Sequence, residues 1–172
     1  MKLSILILNI FILFFTACST SGLIKTKNKL PQLSKDSNTT HSKKEDLSLS
    51  IFRLSNYTDT PRAGMRAANI LEGILRTKGF DVISHITQEL PTKSQAREIA
   101  LADGSKYFMY GGVSEWRYRT GIDGQPAVSV MCNLYDTYSD KIVWSATGVN
   151  SDWGNSSIGL TAQNLFQTML DN

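Results

Sequence analysis

Three strand-like runs in the second half of the chain constrain its fold more than any other feature. Residues 107–118, 127–135 and 142–149 are rich in aromatic and β-branched side chains. Turn-forming residues separate the runs, at positions 121–126 and 139–140. Because strands joined by short turns pair with their neighbours, the pattern predicts an antiparallel meander.

The middle run alternates between two faces with the period of a β-strand. One face is apolar and consists of Val128, Val130, Cys132 and Leu134. The opposite face is mixed and consists of Ser129, Met131, Asn133 and Tyr135. This alternation is typical of a sheet with one buried side.

The residues before the meander predict two strands and a first helix. Residues 47–54 and 80–86 have the composition and alternation of short strands. Between them lies an apolar stripe at three-to-four spacing, with Thr60 as the predicted cap and Pro61 in the first helical position. Gly79 is the predicted end of this helix.

Two more helices complete the prediction. One begins at residues 90–92 and runs through Asp103 to a stop at Gly104, and the last is capped by Ser156 or Ser157. The predicted order is β-α-β-α-β-β-β-α. We therefore expect an α/β (α+β) domain with a mixed sheet, whose C-terminal antiparallel meander is covered by helices.

The amino-terminal residues have the pattern of a bacterial lipoprotein signal. Lys2 precedes an apolar run over residues 3–15, which is too short for a transmembrane helix. Residues 15–18 resemble a lipobox, where the signal is cut before a cysteine that takes the lipid, although Leu is usual where Phe15 stands. We predict that Cys18 is the lipid anchor, and more than one acyl chain would hold it firmly in a membrane.

This interpretation divides the chain into a signal peptide (1–17), a lipidated flexible tether (18–46) and a periplasmic α/β domain (47–172). Ser19, rather than Asp, is typical of lipoproteins that go to the outer membrane. The tether is polar and lacks apolar periodicity. As a coil it would span on the order of 30 Å, so we expect the domain to work close to its membrane.

The positive charge of the chain belongs to the tether. Residues 19–46 carry six lysines and three acids, whereas residues 47–172 hold 11 basic and 12 acidic side chains. This balance argues against a nucleic-acid surface on the domain. Lysines beside a lipid anchor would either contact headgroups or stay solvated, and the predicted lipid partner is anionic or zwitterionic.

No pattern predicts catalysis, a metal or a cofactor. The histidines are His41 in the tether and His85 in a predicted strand, without patterned partners. Asp136 and Asp140 flank one turn, and turn formation explains them better than acid/base chemistry. The pair at 111–112 lies inside a strand, where two glycines indicate close backbone approach or a bulge rather than a phosphate loop. We therefore expect a protein that is not an enzyme.

Cys132 is the one thiol left if Cys18 carries lipid, so no internal disulfide can form. It lies on the apolar face of the middle strand and has no local His or Lys to lower its pKa. We predict a small core residue.

Two sets of residues carry a resemblance to known proteins. The first set is Phe52, Asn56, Thr58, Pro61, Gly64, Gly79, Asp103, Gly104, Tyr107, Gly111 and Val113. It resembles the periplasmic α/β domain of curli-secretion lipoproteins and penicillin-binding-protein activators. The second set is residues 113–121, 123–128, 143–148 and 152–154. It is similar to the PelC family, the outer-membrane lipoproteins of Pel exopolysaccharide export.

The second resemblance implies a homo-oligomeric ring of about a dozen subunits on the periplasmic face of the outer membrane, beneath a β-barrel exporter. In that family the ring forms a funnel with an acidic face that guides a partly cationic exopolysaccharide, and one tryptophan of each subunit contacts the membrane. By its motif Trp153 matches that tryptophan, whereas Trp144 lies inside a strand and is predicted to be core.

Four acids on turns and after the last strand are candidates for lining the polymer path: Asp123, Asp136, Asp140 and Asp152. Asp123 is the strongest candidate, because it lies at the tip of a long hairpin connection that a scaffold would present to solvent. Plain turn chemistry is the alternative, since Asp before Gly124 is a common turn pair.

A second function stays open at this stage. Lipoproteins of similar fold activate a peptidoglycan synthase, a penicillin-binding protein, and must reach across the periplasm to do so. Their tethers tend to be longer and rich in proline, whereas residues 19–46 contain the single proline Pro31. The two functions also differ in assembly, because a ring is expected for export and a monomer for activation.

Overall fold

The computed structural model describes residues 24–32, 46–87, 89–120, 124–152 and 156–172. These residues form one seven-stranded sheet and three helices. In chain order the elements are β1 (Ile24–Lys27), β2 (Ser48–Phe52), β3 (Ser55–Asn56), α1 (Ala63–Thr77), β4 (Asp81–His85), α2 (Lys93–Ala102), β5 (Tyr107–Tyr118), β6 (Pro126–Asp136), β7 (Ile142–Ser151) and α3 (Ile158–Asp171).

The sheet is mixed, with the order β1-β7-β6-β5-β2-β4 and β3 beside β5. The strands from β5 through β6 and β7 to β1 pair antiparallel. β2 pairs parallel with both β4 and β5. The predicted α/β class and the antiparallel meander are therefore confirmed.

The apolar face of β6 is buried, as the alternation predicts. Val128, Cys132 and Leu134 have no exposed surface and Val130 is 1% exposed, whereas Met131 on the opposite face is 44% exposed. The buried face packs with residues of α1 and α3, including Leu71, Leu75, Ala162, Leu165, Phe166 and Met169. On the other side of the sheet, a smaller cluster joins α2 to β2 and β5 through Phe52, Ala96, Ala100 and Phe108.

The side chain of Cys132 is fully enclosed in this core. Burial raises the pKa of its thiol to about 12, because the thiolate would lose its hydration. The thiol therefore stays protonated at neutral pH, and Cys132 is an inert packing group in the folded chain.

Most helix termini lie where the capping residues predict. Thr92 accepts a hydrogen bond from the Gln95 backbone N–H, and the Gln95 side chain bonds back to the Thr92 backbone in a capping box. Ser157 accepts from the Leu160 backbone N–H at the start of α3. Gly79 follows α1 with φ 92°, which only a residue without a Cβ adopts freely.

The predicted start of α1 is wrong. The helix begins at Ala63, and its N-cap is Arg62 in the left-handed region (φ 61°) without a side-chain capping bond. The hydroxyl of Thr60 instead donates to the backbone carbonyl of Trp116, 2.5 Å away. The Thr60 hydroxyl, which the local sequence predicts to cap the helix, thus makes a tertiary contact instead.

The predicted tether needs a correction at residues 24–32. β1 pairs with the edge of β7, from Ile24 opposite Gly148 to Lys27 opposite Ser145. The Leu30 side chain, only 4% exposed, belongs to the main core. The reason is edge pairing: without β1, the outer backbone groups of β7 would lack partners.

The glycine pair inside β5 has the close contacts that the sequence predicts. A Cβ on Gly111 would lie 2.1 Å from the backbone oxygen of Met131 across the strand pair. A Cβ on Gly112 would lie 2.6 Å from the ring of Tyr57, which packs over this position. The register also shifts between Val113 and Glu115, so a bulge follows the pair directly.

None of the helices in the described ranges is long and apolar enough to cross a membrane.

Candidate functional site

The sheet has two ends, and the predicted site residues fall on both. We use the name Asp152 end for the end of the sheet where β5 ends, β6 begins and β7 ends. At this end Tyr118 is opposite Pro126, and Ala127 is opposite Ser151. The turn end lies at the other side of the meander and holds Asp136 and Asp140. Strands of this length separate the two ends by roughly 30 Å.

Asp136 shapes the turn between β6 and β7. Its Oδ1 accepts hydrogen bonds from the backbone N–H and the hydroxyl of Ser139, both at 2.8 Å. Burial alone would raise the pKa of Asp136, but the Ser139 bonds, the charge of Lys106 and the Tyr138 backbone N–H together outweigh it, so the net pKa is lowered. Asp136 is therefore a stable anion at neutral pH, with one oxygen committed to the turn.

Asp140 closes the same turn in a left-handed conformation, with φ 54°. Its Oδ2 lies 2.7 Å from Nζ of Lys93, the first residue of α2. Both side chains are more than a third exposed, so this ion pair contributes little to stability. Its effect is to balance the Asp140 charge at the surface.

Asp152 ties the end of β7 to the start of α3. Its Oδ2 accepts from the Thr161 hydroxyl at 2.7 Å and from the Ser156 hydroxyl at 3.3 Å. Local contacts thus exist for all three described acids, and a role for them in a polymer path stays a prediction. Cys18, Asp123 and Trp153 lie outside the described residues.

The other two tryptophans lie in the core. Trp144 is 1% exposed and Trp116 is 2% exposed. The core prediction for Trp144 is confirmed.

One polar cluster was missed by the sequence analysis. His85 Nε2 lies 2.7 Å from Oδ2 of Asp103, which also accepts from the Ser50 hydroxyl at 2.5 Å. Ser50 is within 2.8 Å of the Ser105 hydroxyl, and the Phe52 ring stacks on His85. These residues are far apart in the chain, and no local spacing could have indicated their contact.

This cluster does not have the arrangement of a nucleophilic triad. The carboxylate stands between the serine and the histidine, so the imidazole is not placed to take the Ser50 proton. Ser50 is also fully buried in the sheet. The contacts instead fasten the end of α2 to β2 and β4. Nor do any three His, Cys, Asp or Glu side chains of the described ranges stand close enough to hold a metal ion.

β1 begins near the Asp152 end. Ile24 is opposite Gly148, three positions before the last residue of β7, and β1 runs away from this end. Cys18 is six positions before Ile24. A fully extended chain of this length would span at most about 20 Å.

Comparison with solved structures identifies relatives of the whole domain. The PelC dodecamer from Paraburkholderia phytofirmans is 30% identical, with a TM-score of 0.70 over 87% of this chain and 95% of that chain. A point variant of the same dodecamer is 31% identical, with a TM-score of 0.71 over 87% and 96%. The chain belongs to the PelC family.

More distant similarity shows only how widely the PelC fold is shared. Lipoprotein GNA1162 from Neisseria meningitidis has a TM-score of 0.54 at 17% identity, over 73% of this chain and 99% of that chain. No family model and no curated protein matches the chain.

Proposed function

We propose that this chain is an outer-membrane lipoprotein that assembles into a ring of about a dozen copies and guides an exopolysaccharide to a β-barrel pore. The proposal is supported mainly by the similarity to the PelC dodecamer, which extends over most of this chain and nearly all of the PelC chain. The polymer is a Pel-like exopolysaccharide by family resemblance. Assembly of the ring can be tested without identifying this polymer.

The position of β1 supports a ring that lies directly on the membrane. Five residues, 19–23, connect Cys18 to the first strand, far fewer than a tether to residue 46 would provide. Lipid on Cys18 would therefore keep Ile24, near the Asp152 end of each subunit, within about 20 Å of the leaflet. Trp153 follows Asp152 directly, so the same constraint favours membrane contact by its indole.

This orientation gives the separated acids an order along the polymer path. The turn end, with Asp136 and Asp140, would face the periplasm, and the Asp152 end would face the pore. Asp123 lies in the sequence between β5, which ends at the Asp152 end, and β6, which begins there. On entry a cationic polymer would meet Asp136 and Asp140. On exit it would meet Asp123, which is repeated around the axis of the ring.

The ring is tested by mass. The lipidated chain, purified in mild detergent, is expected to have a molar mass of about a dozen subunits by light scattering corrected for detergent, because its relatives are dodecamers. A monomer at all concentrations would contradict export and favour the activator function, for which a single copy suffices.

The polymer path is tested at Asp123. Asp123→Lys is expected to lower polysaccharide secretion several-fold while the ring keeps its mass, since the change puts a dozen cations where a cationic polymer must pass. Secreted polymer is measured with a carbohydrate-specific stain or lectin.

Asp81→Lys is the matched control for Asp123→Lys. Asp81 is an exposed acid at the start of the edge strand β4, away from the meander. Its substitution makes the same charge change and should leave secretion unaltered. Equal secretion by the Asp123 and Asp81 variants, with intact rings, would remove Asp123 from the path.

A further inference from the structure

Four exposed arginines lie at the Asp152 end: Arg62, Arg66, Arg117 and Arg119. Arg117 is the last residue but one of β5, and Arg119 follows that strand. The Thr60 hydroxyl, bonded to the Trp116 carbonyl, holds the residues before α1 against the same part of β5. Arg62 and Arg66, at the N-cap of α1 and one turn beyond it, therefore belong to this end.

Most of this positive charge is not neutralised within the described residues. Arg117 bonds Glu115 at 3.1 Å, but the Arg117 side chain is 63% exposed and water screens that pair. The side chains of Arg62, Arg66 and Arg119 make no hydrogen bond or ion pair within the described ranges. The nearby acids among the described residues are Glu115, the exposed Asp59, and Asp152, whose Oδ2 is already bonded to hydroxyls.

The turn end uses its cations differently. Lys93 pairs with Asp140, and Lys78 pairs with Asp171 at the close of α3. Arg97 donates to two backbone carbonyls in the turn after β6. These three cations at the turn end are used in contacts within the described part of the fold, whereas the side chains of Arg62, Arg66 and Arg119 at the opposite end are not.

We propose that Arg62, Arg66, Arg117 and Arg119 form a lipid-facing surface that binds the phosphate headgroups of an anionic bilayer. Guanidinium groups suit this partner, since they stay charged and match phosphate oxygens with paired donors. The short chain between Cys18 and Ile24 brings this end to the leaflet, a step that rests on the proposed lipidation. A partly cationic polymer would be repelled by the same surface.

The test uses the chain from residue 18 with Cys18→Ser, which keeps every described residue and carries no lipid. Its binding to vesicles of phosphatidylcholine with phosphatidylglycerol is measured by co-sedimentation, beside vesicles of phosphatidylcholine alone. We expect binding to the anionic vesicles only, weakening as salt is added. Arg66→Glu with Arg119→Glu should weaken it about tenfold or more, because both changes reverse charges that face the headgroups.

Lys141→Glu is the matched control for Arg119→Glu alone. Lys141 is exposed and lies in the turn before β7, at the opposite end of the meander. Its change should leave vesicle binding as it was, and thermal melts should show that every variant is folded. The proposal would be overturned if Arg119→Glu and Lys141→Glu lost vesicle binding equally, or if the chain bound equally well to vesicles with and without phosphatidylglycerol. Because the Cys18→Ser chain carries no lipid, this result does not depend on lipidation, and light scattering of the same variants measures ring mass separately.

Discussion

Replacing Cys132 by aspartate is expected to leave the chain unfolded. Cys132 has no exposed surface and lies between Gly111 on β5 and Ala146 on β7. A buried polar group without a hydrogen bond costs about 2–7 kcal/mol, and an unpaired charge costs more. A domain of this size has only about 5–15 kcal/mol of stability in total. The raised pKa of the Cys132 thiol has the same cause, since this site opposes any charge.

Two control variants separate burial from the loss of the thiol. Cys132→Ala removes one sulfur and should cost about 1–2 kcal/mol, as a small cavity does. Met131→Asp adds the same carboxylate one position away, on the face where Met131 is 44% exposed, and should fold. Thermal melts followed by circular dichroism measure all three. A soluble Cys132→Asp chain that melts cooperatively near the Met131→Asp variant would mean that the strand faces the opposite way.

The parts of the fold that the sequence predicted are those that local patterns determine. Alternation in β6 identifies its buried face without knowledge of any partner, because the side-chain period of a strand is two. Thr92 and Ser157 cap helices through bonds to residues three positions away. Such contacts lie within one turn and can be predicted from spacing alone.

The parts that failed depend on contacts between distant residues. β1 is four residues long, and three of them are exposed, so its composition does not indicate a strand. It forms because the edge of β7, about 120 positions later, offers backbone partners. Thr60 is diverted from its capping role by a carbonyl 56 positions away. In the candidate site, Asp136 and Asp140 could be predicted from their turn. The arginine surface could not be predicted, because its residues come together only when the start of α1 packs against β5.

Replacing Cys18 by serine is expected to release the protein from the outer membrane. Lipid attachment needs the thiol as nucleophile, so the variant should accumulate as unprocessed precursor or fractionate away from that membrane. The expected loss is nearly complete, because each methylene of a buried acyl chain contributes about 0.8 kcal/mol and more than one chain is involved. Cell fractionation with immunoblotting measures both the size and the location of the chain.

Cys132→Ala is the control, since it removes the other cysteine and leaves Cys18 in place. It should be processed normally and stay with the outer membrane. The arginine surface is not expected to replace the anchor, because electrostatic contacts with headgroups weaken as ionic strength rises, whereas buried acyl chains do not depend on salt. Export should therefore fail in the Cys18 variant even if rings still form in solution. Normal outer-membrane fractionation of Cys18→Ser would show that the domain is held there by contacts other than lipid, and that the five residues before β1 do not set its distance from the leaflet.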